Sequence, residues 1–210
     1  MKIFILGAGG HARETYCHLK DIDPSFEILF IDDVTPTKTI HVKGKDIEVV
    51  KTWPKVIEKK ALGFECFVIG IGDPKLKPDF IKKALDNGLK PSQTWIHPKA
   101  IVQDAKLGLG GMIAPGVVVT CGVTAGDYVV LNYNSTVGHD SRIGDFSTCN
   151  PGSNVSGNVT VGKSCLIGAG AVIKEKISIA DNVIVGAQAC VVKDIKSSGK
   201  VFIGVPAREH

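Results

Sequence analysis

From Ile101 to Val191 an aliphatic or small residue returns at every sixth position, running Ile101, Leu107, Ile113, Val119 and onward through Val137 and Ile143 to Val185 and Val191, with no insertion or deletion. An amphipathic helix needs a period of about 3.6 and a half-buried strand a period of 2, so a period of six fits neither. It fits a parallel β-helix, an all-β solenoid in which three short strands and three turns close each coil. The run makes about five coils, enough for neighbours to bury one another's apolar faces. Gly often follows the repeating residue, as at Gly108, Gly126, Gly138, Gly144, Gly162, Gly168 and Gly186. That pattern places the aliphatic side chain inward and the next residue in a turn where Gly costs little.

Residues 1–95 follow a different rule. KIFIL, ILFID and CFVIG are short buried-strand candidates, rich in β-branched and aromatic residues. Helix candidates lie between them: one from Gly10 through His18, one after Pro54, and one from Pro78 to Asn87 with Gly88 as its stop. Strand and helix in alternation predict a small parallel α/β unit. The expected organisation is an α/β domain over 1–95 and a β-helix domain over 96–210.

Charge and cysteines narrow the function. The 210 residues carry 25 Lys and Arg against 21 Asp and Glu, a net charge of +4 without a basic run. A nucleic-acid stripe concentrates its cations on one element, so no nucleic-acid partner is expected. MKIFIL is too short for a signal or spanning segment, and no membrane partner is expected either. The six cysteines (17, 66, 121, 149, 165 and 190) show no CxxC spacing and no paired pattern. That argues against a zinc site or disulfide framework and for the cytoplasm.

Several residues stand out from the repeat. His139 and Asp140 interrupt it between Val137 and Ile143. A histidine in a repeat turn is more often structural or simply exposed than catalytic. Here, however, Asp140 follows directly and can hold the ring in the tautomer whose other nitrogen accepts a proton. Asn132 and Asn134 read equally well as turn asparagines, which tolerate left-handed backbone. GAGGHARE (7–14) follows a strand and opens a helix, which suits a phosphate cradle of backbone N–H groups. Gly7, Gly9 and Ala12 also fit the dinucleotide fingerprint, and Asp32 lies twenty residues beyond Ala12, so an NAD site is open on the motif alone. Fewer than 100 residues precede the repeat, about half a full dinucleotide fold.

The hexad run, together with IHPKA, NYNSTVGHD, SGNVTVG, LIGAGAVI and VFIGVPAR, resembles the left-handed β-helix sugar O- and N-acetyltransferases. The resemblance is nearest to the sialic acid O-acetyltransferase and bacillosamine-pathway N-acetyltransferase group and covers essentially the whole chain. It implies a Rossmann-like N-terminal domain that holds a nucleotide-linked amino sugar, acetyl-CoA as co-substrate, and a homotrimer whose active sites lie between subunits. It implies His139 and Asp140 as the catalytic pair, with direct acetyl transfer. It implies that Gly9, Gly10 and His11 approach the diphosphate and nucleoside, that Asp32 and Asp33 accept hydrogen bonds from base or ribose, and that Asn132 lies near the sugar. Lys77 stands where the family's IGxxxxxR segment carries arginine, and keeps the charge without the bidentate fork. Gly157 matches a glycine near the acetyl carbonyl, while Thr148 stands where the family has a second histidine. Gly168, Gly186 and Ala187 match the coenzyme A end of the groove, although the same residues also read as ordinary repeat turns.

The expected activity is therefore N-acetylation of an amino-deoxysugar carried on a nucleotide, such as UDP-4-amino-4,6-dideoxy-GlcNAc. The alternatives are O-acetylation of a sugar and a non-catalytic nucleotide-sugar or NAD-binding protein. A β-helix carbonic anhydrase needs three histidines around a zinc, whereas the repeat contains His139 alone, so no metal is expected.

Overall fold

The computed structural model describes residues 1–210. The first part of the chain forms β1 (Lys2–Leu6), α1 (Gly10–Ile22), β2 (Glu27–Ile31), β3 (Thr39–Val42), β4 (Lys45–Val50), α2 (Trp53–Ala61), β5 (Cys66–Ile69), α3 (Lys77–Asp86) and β6 (Lys90–Pro91). These strands make one sheet in the order β3-β4-β2-β1-β5-β6. It is parallel except at the β3–β4 hairpin. The central strand β1 shows why the sheet is buried on both sides. Ile3 and Ile5 cluster with Ala12, Tyr16 and Leu19 of α1, while Phe4 and Leu6 cluster with Val56 of α2 and Ile81 of α3. A strand covered on both faces reads as a continuous apolar run, as KIFIL does.

Two local differences from expectation have clear causes. Helix α1 continues to Ile22, four residues past His18, because Leu19 still faces the sheet. The β3–β4 hairpin has no counterpart in the sequence-based expectation. Its turn is Lys43-Gly44, both at positive φ (48° and 72°), the backbone that matches the twist of a two-residue hairpin.

From Trp95–Ile96 onward the chain coils as a β-helix of three parallel sheets. From Ala105 to Val191 strand residues pair with those eighteen positions on, as Met112 with Val130, Thr136 with Asn154 and Thr160 with Ser178. At the two ends Trp95 with Met112, Ile101 with Val118 and Ile184 with Val201 are seventeen apart. Three hexads therefore make one coil. The repeating residues from Ile113 to Val191 are all buried in its narrow core.

The first coil departs from the hexad run. Ile101 is 57% exposed, and Val102 takes its place opposite Val119 against the core. A one-residue slip turns a strand's side chains to the other face, and both Ile101 and Val102 are apolar enough to allow it.

The turns also differ from the expectation. Positive φ falls three residues after each core position, at Gly116, Gly122, Tyr128, Asn134, Asp140, Phe146, Gly152 and Asn158. The glycines directly after the core residue answer to space instead. A Cβ on Gly138 would stand 2.6 Å from Gly157 N on the next coil.

The α/β domain sits on the sheet that contains Trp95, Met112 and Val130. Trp95 and Met112 join the core on the α1 side, while Tyr128 and Val130 join the core on the α2 and α3 side. The Ile69 N–H at the end of β5 donates to Gly110 O at 3.2 Å, so backbone hydrogen bonding crosses the junction. His18 of α1 meets His97 and Tyr133 of the β-helix edge-on, at ring distances of 5.5 and 5.1 Å. Burial pushes His18 down to about 4, with His97 adding to the shift. No helix is long and apolar enough to cross a membrane.

Candidate active site

The turn after Thr136–Val137 presents His139 and Asp140. Asp140 occupies the left-handed position with φ of 60°, which Asp tolerates better than most residues. Its Oδ2 lies 2.9 Å from His139 Nδ1. An ionised carboxylate only accepts, so this contact places the ring proton on Nδ1 and leaves Nε2 as an acceptor. The pair is more than half exposed along the single chain. Its backbone is fixed by the coils on either side, because Asp140 N–H donates to Cys121 O at 3.0 Å and Asn158 N–H donates to His139 O at 2.8 Å.

Two glycines make room for the pair. A Cβ on Gly157, one coil above, would stand 2.5 Å from His139 Nε2, and one on Gly122, one coil below, would stand 2.6 Å from Asp140 Oδ1. Neither position admits a side chain while the pair keeps its place. Gly157 is not at positive φ, so at that position it is the space beside the imidazole that calls for glycine.

Gly168, Gly186 and Ala187 lie on a different corner. They stack directly, since a Cβ on Gly168 would meet Ala187 N at 2.5 Å. Asn132 stands in the same column, two coils below Gly168. It is buried, and its Oδ1 accepts from the adjacent Tyr133 N–H at 2.8 Å. Within one chain the fold therefore gathers His139, Asp140 and Gly157 on one corner, and Asn132, Gly168, Gly186 and Ala187 on the next.

A second concavity, of about 400 Å³, opens at the carboxyl ends of β1, β2 and β5, the strand ends where open α/β sheets bind ligands. Three loops line it: Gly7 to His11, Asp32 with Val34 and Thr35, and Gly70 to Asp73 with Leu76 and Phe80 beyond. Helix α1 starts at this cavity with Gly9 as its cap and no side chain on its first N–H groups, so those donors stand free. His11 Nδ1 lies 3.4 Å from Glu14 Oε2, while its Nε2 is buried without a partner. The same contact holds the Glu14 carboxyl below the usual range. Asp32 Oδ1 accepts from Val34 and Thr35 N–H at 2.9 and 2.8 Å and so shapes the second loop.

Asp33 and Lys77 are placed otherwise than the motif suggests. Asp33 turns from the cavity toward α2 and α3, where its Oδ2 accepts from Lys83 at 2.8 Å and from the Trp53 indole at 3.3 Å. Burial raises its carboxyl, yet Lys83 and Trp53 together bring it below the usual range. Lys77 is fully buried, and its ammonium points into the β-helix instead of the cavity. There it donates to Thr148 Oγ1 at 2.7 Å, Phe146 O at 2.9 Å and Tyr128 O at 3.1 Å. Burial pushes Lys77 down to about 7. Thr148 is buried too, and its hydroxyl donates to Gly72 O at 2.8 Å. It lies under the α/β domain, away from the His139 corner.

The fold adds Arg13 and Tyr133 to the residues around this cavity. The Arg13 guanidinium leans over Gly10, 3.9 Å from where a Cβ would be. It lines a depression with Ala8, Gly9, Thr37, Thr39 and His41 that shares the glycine loop with the main cavity. Tyr133 lines a neighbouring depression with Arg13, Glu14 and Cys17. The signal for Arg13 was its spacing, since a residue three after Gly10 returns to the same side of a helix's first turn. No group of His, Cys, Asp and Glu is arranged to hold a metal ion.

Comparison with known proteins gives concordant matches. Residues 2–84 match the family described as the PglD N-terminal domain. A GDP-perosamine N-acetyltransferase of Escherichia coli O157:H7 is 31% identical over 145 residues, which are 66% of this chain and 62% of that protein. The chain thus spans less than two thirds of that curated relative. Among solved structures, the acetyltransferase domain of PglB from Neisseria gonorrhoeae FA1090 superposes with a TM-score of 0.85 at 28% identity, covering 100% of this chain and 99% of that one. PerB from Caulobacter crescentus, in complex with CoA and GDP-perosamine, gives 0.87 at 28% identity, covering 100% and 97%.

Proposed function

We propose that the chain is a hexapeptide-repeat sugar acetyltransferase, like the PglB and PerB structures it superposes on, and that it moves the acetyl group of acetyl-CoA onto the amino group of a nucleotide-linked amino-deoxysugar. The observation that carries the reading is the His139 Nε2 lone pair, freed by the Asp140 contact on Nδ1 and standing exposed beside Gly157. A binding-only protein would leave this arrangement idle.

Direct transfer needs few groups. The neutral amine attacks the thioester carbonyl, and as the C–N bond forms its proton passes to His139 Nε2. An imidazole with a free ring nitrogen is the side-chain base best suited to that task near neutral pH. Collapse of the tetrahedral intermediate breaks the C–S bond, and the departing thiolate takes the proton back from the imidazolium. Asp140 steadies the imidazolium while it exists. The Gly157 N–H, which has no backbone acceptor in the chain, is a donor suited to the developing oxyanion.

The acceptor's nucleotide belongs in the cavity of the α/β domain. The free N–H groups of α1 face the diphosphate there, the Arg13 guanidinium approaches it from the adjoining depression across Gly10, and Asp32 and His11 face the nucleoside. Acetyl-CoA runs along the small-residue column of Gly168, Gly186 and Ala187. That column and His139 occupy different corners of the β-helix, so a thioester reaching from one to the other calls for a second copy of the chain. A homotrimer with active sites between subunits satisfies this.

The test is thiol release from acetyl-CoA with GDP-perosamine, the sugar bound in the Caulobacter structure, alongside UDP- and dTDP-linked 4-amino-4,6-dideoxysugars. His139→Ala should lose about 10²–10⁴ in rate with the fold retained. Turnover close to wild type in that variant would remove His139 from the role of base.

A further inference from the structure

The segment from Gly70 to Leu76 forms one wall of the nucleotide cavity and leads into α3 at Lys77. The β-helix grips this wall from behind through a single chain of hydrogen bonds. Lys77 Nζ donates to Thr148 Oγ1 at 2.7 Å, and the Thr148 hydroxyl in turn donates to Gly72 O at 2.8 Å. Two further N–H bonds of Lys77 reach Phe146 O and Tyr128 O, the carbonyls of left-handed turns one coil apart. The rings of those two turn residues stack on each other at 5.5 Å, and Tyr128 stacks on Phe67 of β5 at 6.2 Å. Lys77 and Thr148 are both inaccessible to water.

Stability alone does not call for this arrangement. An ammonium taken out of water costs several kcal/mol unless its hydrogen bonds are complete, and an apolar side chain of similar size often serves packing as well or better. What the ammonium and hydroxyl provide is direction. They fix a carbonyl of the cavity wall to one strand, Thr148–Cys149, of the solenoid that carries His139.

We infer that Lys77 and Thr148 are positioning residues that hold the nucleotide cavity in fixed register with the β-helix, so that an acceptor bound in the cavity presents its amine at the acetyl-transfer corner. This rests on the reading of the cavity as the acceptor's nucleotide site. A misplacement of about 1 Å in such a register costs on the order of 10²-fold in rate, so a partial loosening shows up in acceptor use before it shows up in folding.

Thr148→Val keeps the shape of the side chain and removes both bonds of the hydroxyl. It should lower kcat/KM for the nucleotide-linked acceptor about tenfold, the scale of one charge-assisted hydrogen bond. CoA affinity by calorimetry should stay within about twofold, and Thr148→Ser should restore most of the loss. Amides from Gly70 to Leu76 should exchange with solvent about ten times faster in Thr148→Val, which reads the clamp without any turnover. Lys77→Met provides the second variant and should move the same observables in the same direction. Wild-type kcat/KM and unchanged exchange in a folded Thr148→Val would overturn the inference, as would equal losses of acceptor and CoA affinity. A wild-type protein that releases no thiol with any nucleotide-linked amine would instead overturn the proposed activity, and the exchange measurement would still decide the clamp.

Discussion

His139 Nε2 lies where the side chain of residue 157 would have to be, since a Cβ on Gly157 would approach it to 2.5 Å. The two residues are one full coil apart, eighteen positions along the chain, and neither can be understood without the other. The imidazole is clamped at Nδ1 by Asp140 and has a clear face at Nε2 because the coil above contributes no side chain there.

Gly157→Ala therefore tests the site without touching a polar group. Its backbone is not in the left-handed region, so alanine is tolerated locally and the clash falls on the imidazole. The expected result is a loss of about 10²-fold in kcat, the cost of a displacement near 1 Å, with a melting temperature within a few degrees of wild type. An active Gly157→Ala protein would show that the ring can work from another position.

Asp140→Asn separates shape from charge. Asparagine is at home at φ of 60°, so the turn keeps its backbone. The amide can turn its NH₂ group to Nδ1 and force the proton onto Nε2, removing the acceptor. Activity should drop by at least about tenfold, and the shortfall should not be recovered by raising the acetyl-CoA concentration. A variant with full kcat would mean that the carboxylate does not set the tautomer.

Arg13→Met addresses the diphosphate. The side chain packs similarly over Gly10 but loses the guanidinium, the strongest phosphate partner available to a protein. Affinity for GDP or UDP should fall about tenfold while affinity for the free nucleoside stays the same. Equal effects on nucleotide and nucleoside would place Arg13 elsewhere in the site.

Lys77 gives a pH signature. Burial brings it from 10.5 down to about 7 in the folded protein, so between those values the unfolded chain holds a proton that the native state has released. Stability consequently rises with pH across that window, by up to about 1.4 kcal/mol per pH unit. The penalty for the buried charge is in full force below pH 7 and has gone above 10.5. Urea midpoints of wild type and Lys77→Met, measured from pH 6.5 to 9.5, should converge or cross in favour of wild type as pH rises. Parallel curves would show that the ammonium is not penalised in the fold.

How far the sequence foretold all this follows from how local each feature is. The hexad run predicts the β-helix because core residues repeat along the chain itself, and it misplaces only the start, where Ile101 and Val102 are equally fit for the core. His139 and Asp140 are adjacent, so their pairing can be read from the chain. The fit of Gly157 to the imidazole depends on stacking and emerges only when the eighteen-residue register is known. Lys77 and Thr148, the two departures from the family pattern, become intelligible only together. They lie seventy-one positions apart and meet because one domain docks on the other. A lysine in the first turn of α3 reads as exposed until the docking face is known. Arg13 was legible in principle, from its place in the first turn after the glycine loop, but a single cation carries no pattern.

The eighteen-residue column sets two different rules for how this chain can change length. Removing six residues from the solenoid would leave every later aliphatic side chain facing inward, so the core would still close. It would also rotate everything downstream by about a third of a turn. If the cut fell between residues 140 and 156, His139 would then meet a neighbour from another corner, with Gly157 carried out of its column. A change of six outside that interval leaves this contact intact but carries the corners beyond the cut out of their columns, and only loss or gain of a whole coil there keeps every column aligned. Folding in this protein is indifferent to multiples of six, whereas catalysis counts in eighteens.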